Sequence, residues 1–417
     1  MADVQPLRAV RYDRTKVDSL ADVIAPPYDV IDDEERRRLA ARSPYNVVEL
    51  DLPPSYDRAA QTFHDWRERG ILIREHEPAI WVLRQEYLGP GGGARTRTGF
   101  FARVRLEDYG PGRIRPHERT HPGPKQDRLR LMRATRANLS PIFTLFPDPD
   151  DAGGRAMDDM VGGEPFAEVD QGDGTVNRLW RIADPELIAE LQSALAAAEL
   201  LIADGHHRYE TARAYADEVG GEGDHRYVLM LLCSLADPGL LVLPTHRLLD
   251  GLKDDSRKQL AIRDVLLRDF EVEELPAASE LEPPVGDGRI AYGYMDSFFR
   301  RPYRVTLKDQ AIADSALNGT SEAYRRLDTA VLEALILRGA LGMSEEDIAQ
   351  LRGLRYSNRL ADAVAEVESG AADAGFFLRA TPVEQVRAVA AAGESMPPKS
   401  TFFYPKVPTG LLFNLLA

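Results

Sequence analysis

The chain is nearly devoid of cysteine: of 417 residues only Cys233 is one, and it lies inside an apolar run. Internal disulfides and a cysteine-rich metal site are therefore excluded, and a buried, inert thiol is expected. Long apolar runs are lacking too. Stretches such as 227–233 and 240–243 fall far below the roughly 20 residues that a membrane-spanning helix needs. The first residues show no basic-then-apolar signal segment, so a cytoplasmic protein without membrane attachment is expected. Positive charge is in deficit as well. A formal net charge of −15 argues against nucleic acid as a partner.

What is present is an ordinary globular composition, 44% hydrophobic and 29% charged, in a chain long enough for two or three domains. One stretch breaks the acidic balance. Residues 113–136 hold eight Lys or Arg against Glu118 and Asp127, a local charge of +6. Such a run is either a solvated helix face or part of a pocket for an anionic ligand.

Strand-like and helix-like segments alternate along the chain. Helices are expected over 32–42, 58–70, 128–137, 185–198 and 383–392, and strands over 79–88, 98–106, 141–146, 227–235, 239–244, 290–294, 303–307 and 375–378. Gly-rich residues 89–93 read as a hairpin turn, and acidic residues 147–159 as a surface loop or linker. Ala25-Pro26-Pro27 fixes a rigid loop that places Tyr28 and Asp29. The pattern from residue 324 onward is mostly helical. These elements predict a mixed α/β (α+β) fold in three parts: 1–147 with the basic loop and helix, 160–255 as a core, and 256–417 closing the site.

The most specific segment is 200–212. Four apolar residues read as a buried strand, followed by Asp204, Gly205, a polar turn of His206, His207 and Arg208, and a helix over 209–219. A strand–turn–helix of this kind aims backbone N–H groups and the positive end of a helix dipole at an anion. Gly205 permits close backbone approach, Arg208 offers a planar fork for phosphate oxygens, and two imidazoles supply proton-transfer groups. On the plainer reading Asp204 is only a helix cap and the histidines are satisfied packing groups.

A second polar cluster runs through His117, Glu118, Thr120 and His121 into Gly123-Pro124-Lys125, Asp127 and Arg128. It contains the His-Glu-x-x-His spacing of zinc peptidases, but that chemistry needs a helix, and Pro122 disfavours one at His121. The cluster reads better as a loop opening a helix, with Lys125 and Arg128 as anion clamps and Glu118 as a general base or magnesium ligand. A third cluster, Lys399-Ser400-Thr401 with Lys406 beyond it, offers further groups for phosphates.

With Ala25–Ile31 as APPYDVI, the His117-Glu118-x-Thr120 and Gly123–Leu129 motifs, 203–209 as ADGHHRY, 243–247 as LPTHR and 396–403 as MPPKSTFF, the chain resembles a bacterial family known as domain-of-unknown-function family 1015. The resemblance spans nearly the whole length and implies no settled activity. The 204–208 turn alone is similar to the nucleotide-binding turn of the ParB and sulfiredoxin superfamily, in the Asp-Gly-His-His-Arg form of free serine kinases. His206 stands where sulfiredoxins have cysteine, so sulfinate repair is not implied. What the turn implies is a ParB/sulfiredoxin-like core in which Gly205, His207 and Arg208 hold the phosphates of ATP or ADP.

The function expected is a nucleotide-dependent phosphotransferase acting on the hydroxyl of a small metabolite such as free serine. Asp204, Glu118 and His206 are the catalytic candidates. Thr120, Lys125, Arg128, Lys399 and Ser400 join the turn in binding phosphates, and Glu118 with Asp204 would hold Mg²⁺. The competing expectations are a non-catalytic, ParB-like nucleotide-binding regulator and a metal-dependent hydrolase using His117, Glu118, His206 and His207.

Overall fold

Buried apolar runs, Ile80–Leu83 on the strand Ile80–Leu88 and Phe100–Ala102 on the strand Ala94–Arg105, mark a hairpin covered on both faces, and the rest of a large sheet is laid down on either side of it. In a computed structural model this sheet has nine strands. Its order is Ile114–Arg115, Leu200–Asp204, Ile142–Phe146, Tyr227–Ser234, Ala94–Arg105, Ile80–Leu88, Val176–Ile182 and Ala167–Asp170, with Val4–Gln5 also paired to Ala94–Arg105. Tyr227–Ser234 runs parallel to Ile142–Phe146 and antiparallel to Ala94–Arg105, so the sheet is mixed. The structure describes residues 2–118, 120, 122–286 and 288–416, the side chains of Pro122 and Pro124 aside.

The chain forms two compact units, the first of Met1–Pro116, Thr120–Leu241 and Pro405–Ala417, the second of His117–Arg119 and Val242–Tyr404. Residues from both 1–147 and 160–241 thus build the one nine-stranded sheet. Among the described residues the first unit shows two apolar cores, one including Phe100, Ile142, Leu200, Ile202 and Leu232, the other Val10, Phe63, Trp66 and Phe413. The second unit is built on a six-stranded, wholly antiparallel sheet. Its main core gathers Leu249, Phe270, Tyr292, Ile336 and Phe376.

The mixed α/β class expected from the sequence is the observed one. Four local expectations differ. Residues 147–159 are not all loop: Ala152–Met160 is helical, because Ala156, Met157 and Met160 bury one face while the acids turn outward. Asp148 starts that helix by accepting from the amides of Gly153 (3.1 Å) and Gly154 (2.9 Å). The basic helix is Pro122–Thr135, since prolines, which lack an N–H, are tolerated in a first turn whose N–H groups have no intrahelical acceptor. The region beyond 324 also contains a strand, Leu354–Ser357, and the loop after Lys399 contains another, Phe402–Tyr404. No helix among the described residues is long and apolar enough to cross a membrane. Cys233 is buried, and burial pushes its thiol up.

Candidate functional site

In the first unit the strand Leu200–Asp204 runs into the helix His206–Val219 through Gly205 alone. Gly205 has φ 97°, a left-handed conformation that completes the turn in one residue. The helix therefore starts three residues earlier than its composition suggests, and His206, His207 and Arg208 form its first turn. Other helices here are capped by a side chain, as Asp184 caps Pro185–Leu195, but Gly205 has none to offer. His206 is 5% exposed and packs inward, whereas His207 is half-buried.

Arg208 does not point away from the protein. Its guanidinium folds back under Gly205 and donates to the Asp204 carboxylate, to the Pro141 carbonyl and to Ser140 Oγ at 3.0 Å. The φ of Gly205 itself favours glycine, and a Cβ added there would lie 2.9 Å from Arg208 Nε and force that side chain to shift. Lys406, from the C-terminal segment of the same unit, donates to Asp204 Oδ1 at 2.8 Å. One carboxylate is thus gripped on both oxygens by two cations. That arrangement is ill-suited to holding a divalent metal.

The basic helix Pro122–Thr135 brings a second arginine to the same region. Arg128, 8% exposed, donates to Asp51 Oδ1 at 3.0 Å, to the Asp51 carbonyl at 2.8 Å and to Asp127 Oδ2 at 2.6 Å. Tyr28 from the diproline loop lays its ring 4.3 Å from the guanidinium. Burial opposes charge on Arg128, but Asp51 and Asp127 outweigh it and hold the guanidinium firmly protonated. Burial raises Asp51 against the pull of Arg128 and Arg208, and it pushes the Tyr28 phenol up to about 12. Arg128, Arg208, Tyr28, Asp51, Ser140 and Thr211 line one cavity of about 40 Å³. That is room for about three water-sized groups.

Lys125 and Thr120 meet on a residue that sequence reasoning missed. Lys125 Nζ (2.6 Å) and Thr120 Oγ1 (2.7 Å) both donate to Glu210 Oε2, one turn beyond His206 on its helix. Glu210 follows His206 by four residues, which places it on the same helix face, but nothing in the spacing shows its partners. Asp51 and Ser140 were missed for the same reason: their role depends on long-range packing.

Glu118, Lys399 and Ser400 belong to the second unit. His117 is fully buried, with Nε2 2.8 Å from Thr401 Oγ1, and Glu118 forms an isolated bridge with Met396. Ser400 is 4% exposed and its hydroxyl bonds the Pro397 carbonyl (2.6 Å) and Thr329 Oγ1 (3.0 Å), bracing its own loop. His117, Glu118 and Thr120 are not helical, as the zinc spacing would require, and His121 lies outside the described residues. Among the described residues no three His, Cys, Asp or Glu are grouped as a metal site.

The sequence matches the family model described as a protein of unknown function, DUF1015, over residues 4–330, and the chain belongs to that family. No curated protein matches it. Solved structures with similarity include a conserved hypothetical protein from Pyrococcus furiosus, at 17% identity and TM-score 0.36, covering 72% of this chain and 92% of that one. A free serine kinase in complex with AMP is similar at 16% identity and TM-score 0.35, over 72% of this chain and 89% of its own. SbnI with a C-terminal truncation, from Staphylococcus aureus, is similar at 9% identity and TM-score 0.36, over 76% and 87%.

Proposed function

We propose that this member of the DUF1015 family is a nucleotide-dependent phosphotransferase that delivers a phosphoryl group to the hydroxyl of a small metabolite such as free serine. The observation that carries the reading is the meeting of Arg128 and Arg208, from two separate motifs, at one small cavity beside the start of the helix His206–Val219. Two desolvated guanidinium groups next to a helix N-terminus favour the anionic tail of a nucleotide. Gly205 brings its backbone within reach of the phosphates, His207 stands in the first helical turn, and Lys125 with Thr120 offers further donors now held on Glu210.

In the step envisaged, the acceptor hydroxyl oxygen forms a bond to the terminal phosphorus, and the bond from that phosphorus to its bridging oxygen breaks. The electron pair leaves with the shortened nucleotide, and the hydroxyl proton passes to Asp204. Arg208 and Lys406 hold that carboxylate in place, so the chain's contribution is positioning and charge neutralisation. ATP or ADP is the donor, and any Mg²⁺ would arrive with its phosphates.

The test is calorimetry with ATP and ADP, followed by product analysis against hydroxyl-bearing amino acids and polyols. Binding with turnover, and a loss of about 100-fold or more in Asp204→Asn, is expected. Binding without product in any combination would favour a regulatory nucleotide-binding protein, and absence of binding overturns both readings.

A further inference from the structure

The second unit carries a deeply buried arginine with no ion-pair partner among the described residues. Arg247 lies on the strand His246–Leu249 and is 3% exposed. Its guanidinium donates to the carbonyls of Thr245, Pro398 (3.3 Å) and Lys399 (3.1 Å). Tyr356, opposite it on the strand Leu354–Ser357, sets its ring 5.1 Å away. Burial lowers its pKa, and Tyr356, Glu333 and Glu118 oppose that through space, without an ion pair to Arg247 among the described residues. Carbonyl dipoles carry only partial charge, so a guanidinium buried this deeply remains short of an anion. It also has five N–H donors, more than the carbonyls use.

The loop that closes over it has a second unusual feature. Lys399 has φ 56°, a left-handed conformation that glycine would adopt with less strain. The side chain at this position is cationic and exposed. Both flanks of the cradle are braced. Thr381 Oγ1 donates to the Ser400 carbonyl at 2.9 Å, and Asn358 Nδ2 donates to the Pro244 carbonyl (3.0 Å) and Thr245 Oγ1 (2.9 Å). Strain held in a braced loop is where a functional constraint is expected.

We propose that the second unit has its own binding site for a small oxyanion, a phosphate or carboxylate group, with Arg247 as the buried anchor and Lys399 as the exposed second cation. The site shares no residue with the Arg128–Arg208 cavity on which the proposed phosphotransferase activity rests, and Lys399, expected from the sequence to serve the nucleotide, is assigned here instead, so either proposal can fail without the other.

Hydrogen–deuterium exchange on the full chain, read peptide by peptide, tests it with inorganic phosphate, acetate and chloride at equal ionic strength. Phosphate or acetate, and not chloride, should slow exchange in peptides covering 242–249 and 396–404. The expected slowing is about tenfold when the anion stands about ten times above its dissociation constant. The more effective of the two identifies the source of the oxyanion. Protection should vanish in Arg247→Gln. Lys399→Gly should lose most of it while unfolding no more easily than the parent, since the glycine relieves the backbone. This second variant decides the matter should the first fail to fold. Equal protection by chloride, no protection by any anion, or undiminished protection in Lys399→Gly would overturn the proposal.

Discussion

Gly205 shows how much one residue settles. Its φ of 97° lets strand become helix without an intervening loop, and its missing side chain leaves the space that Arg208 fills. Gly205→Ala meets both obstacles at once, a left-handed backbone and a Cβ 3.1 Å from Arg208 Nη2. A loss of about 1–3 kcal/mol is expected in urea denaturation, with weakened nucleotide binding by calorimetry, because Arg208 must shift and Asp204 with it. Asp204 depends on its neighbours in a graded way. Lys406→Met removes one of the two cations on it and leaves Arg208 bonded, so folding should change by no more than about 1–2 kcal/mol while turnover falls further than stability. A parallel fall in both would make Lys406 a packing residue only.

The C-terminal segment shows the same economy at the level of elements. Beyond Pro405, whose carbonyl accepts from Arg97 at 2.7 Å, the chain returns to the first unit. Thr409 and Ala25 exchange backbone bonds of 2.8 and 3.1 Å, and Phe413 and Val10 exchange bonds of 2.8 and 2.9 Å. The Phe413 ring is fully buried, edge-on to Tyr12 and Phe63 at 6.0 Å each. Phe413→Ala should destabilise the first unit by about 3–5 kcal/mol in chemical denaturation. Because the same segment delivers Lys406, the loss should also reach the proposed nucleotide site.

How much of this was legible depended on range. The strand before Asp204 and the helix after it follow from a short apolar run and local composition, and both are present. The hairpin around 89–93 and the helix capped by Asp32, which accepts from the Glu35 amide at 2.8 Å, rest on equally local chemistry. The helix Ala152–Met160 is not legible because two glycines and five aspartates between 148 and 159 mask a three-residue apolar face. Glu210, Asp51 and Ser140 escaped because each acquires its partner from a distant part of the chain. Nothing local distinguishes such residues from solvated ones. Arg247 closes the 243–247 segment LPTHR, but only its packing against the carbonyls of 398 and 399 reveals that it is buried.

At the scale of the molecule, each unit has its own apolar core, and a titratable group inside one of them separates their responses to acid. His246 is fully buried in the second unit, where Nδ1 accepts from the Leu378 amide at 3.2 Å and the ring tilts against Phe377. Burial, helped by the adjacent Arg247 charge, lowers its pKa from 6.5 to about 4. A depressed histidine stays neutral when folded and takes up a proton when unfolded. Its contribution is therefore complete above pH 6.5 and drains away as pH falls toward 4. Between pH 7 and pH 5 the second unit should lose about 2 kcal/mol from this group. Calorimetric scans at the two pH values should show a transition that moves down with acid, and His246→Gln should remove most of that movement. A transition equally acid-sensitive in His246→Gln would place the loss on other groups.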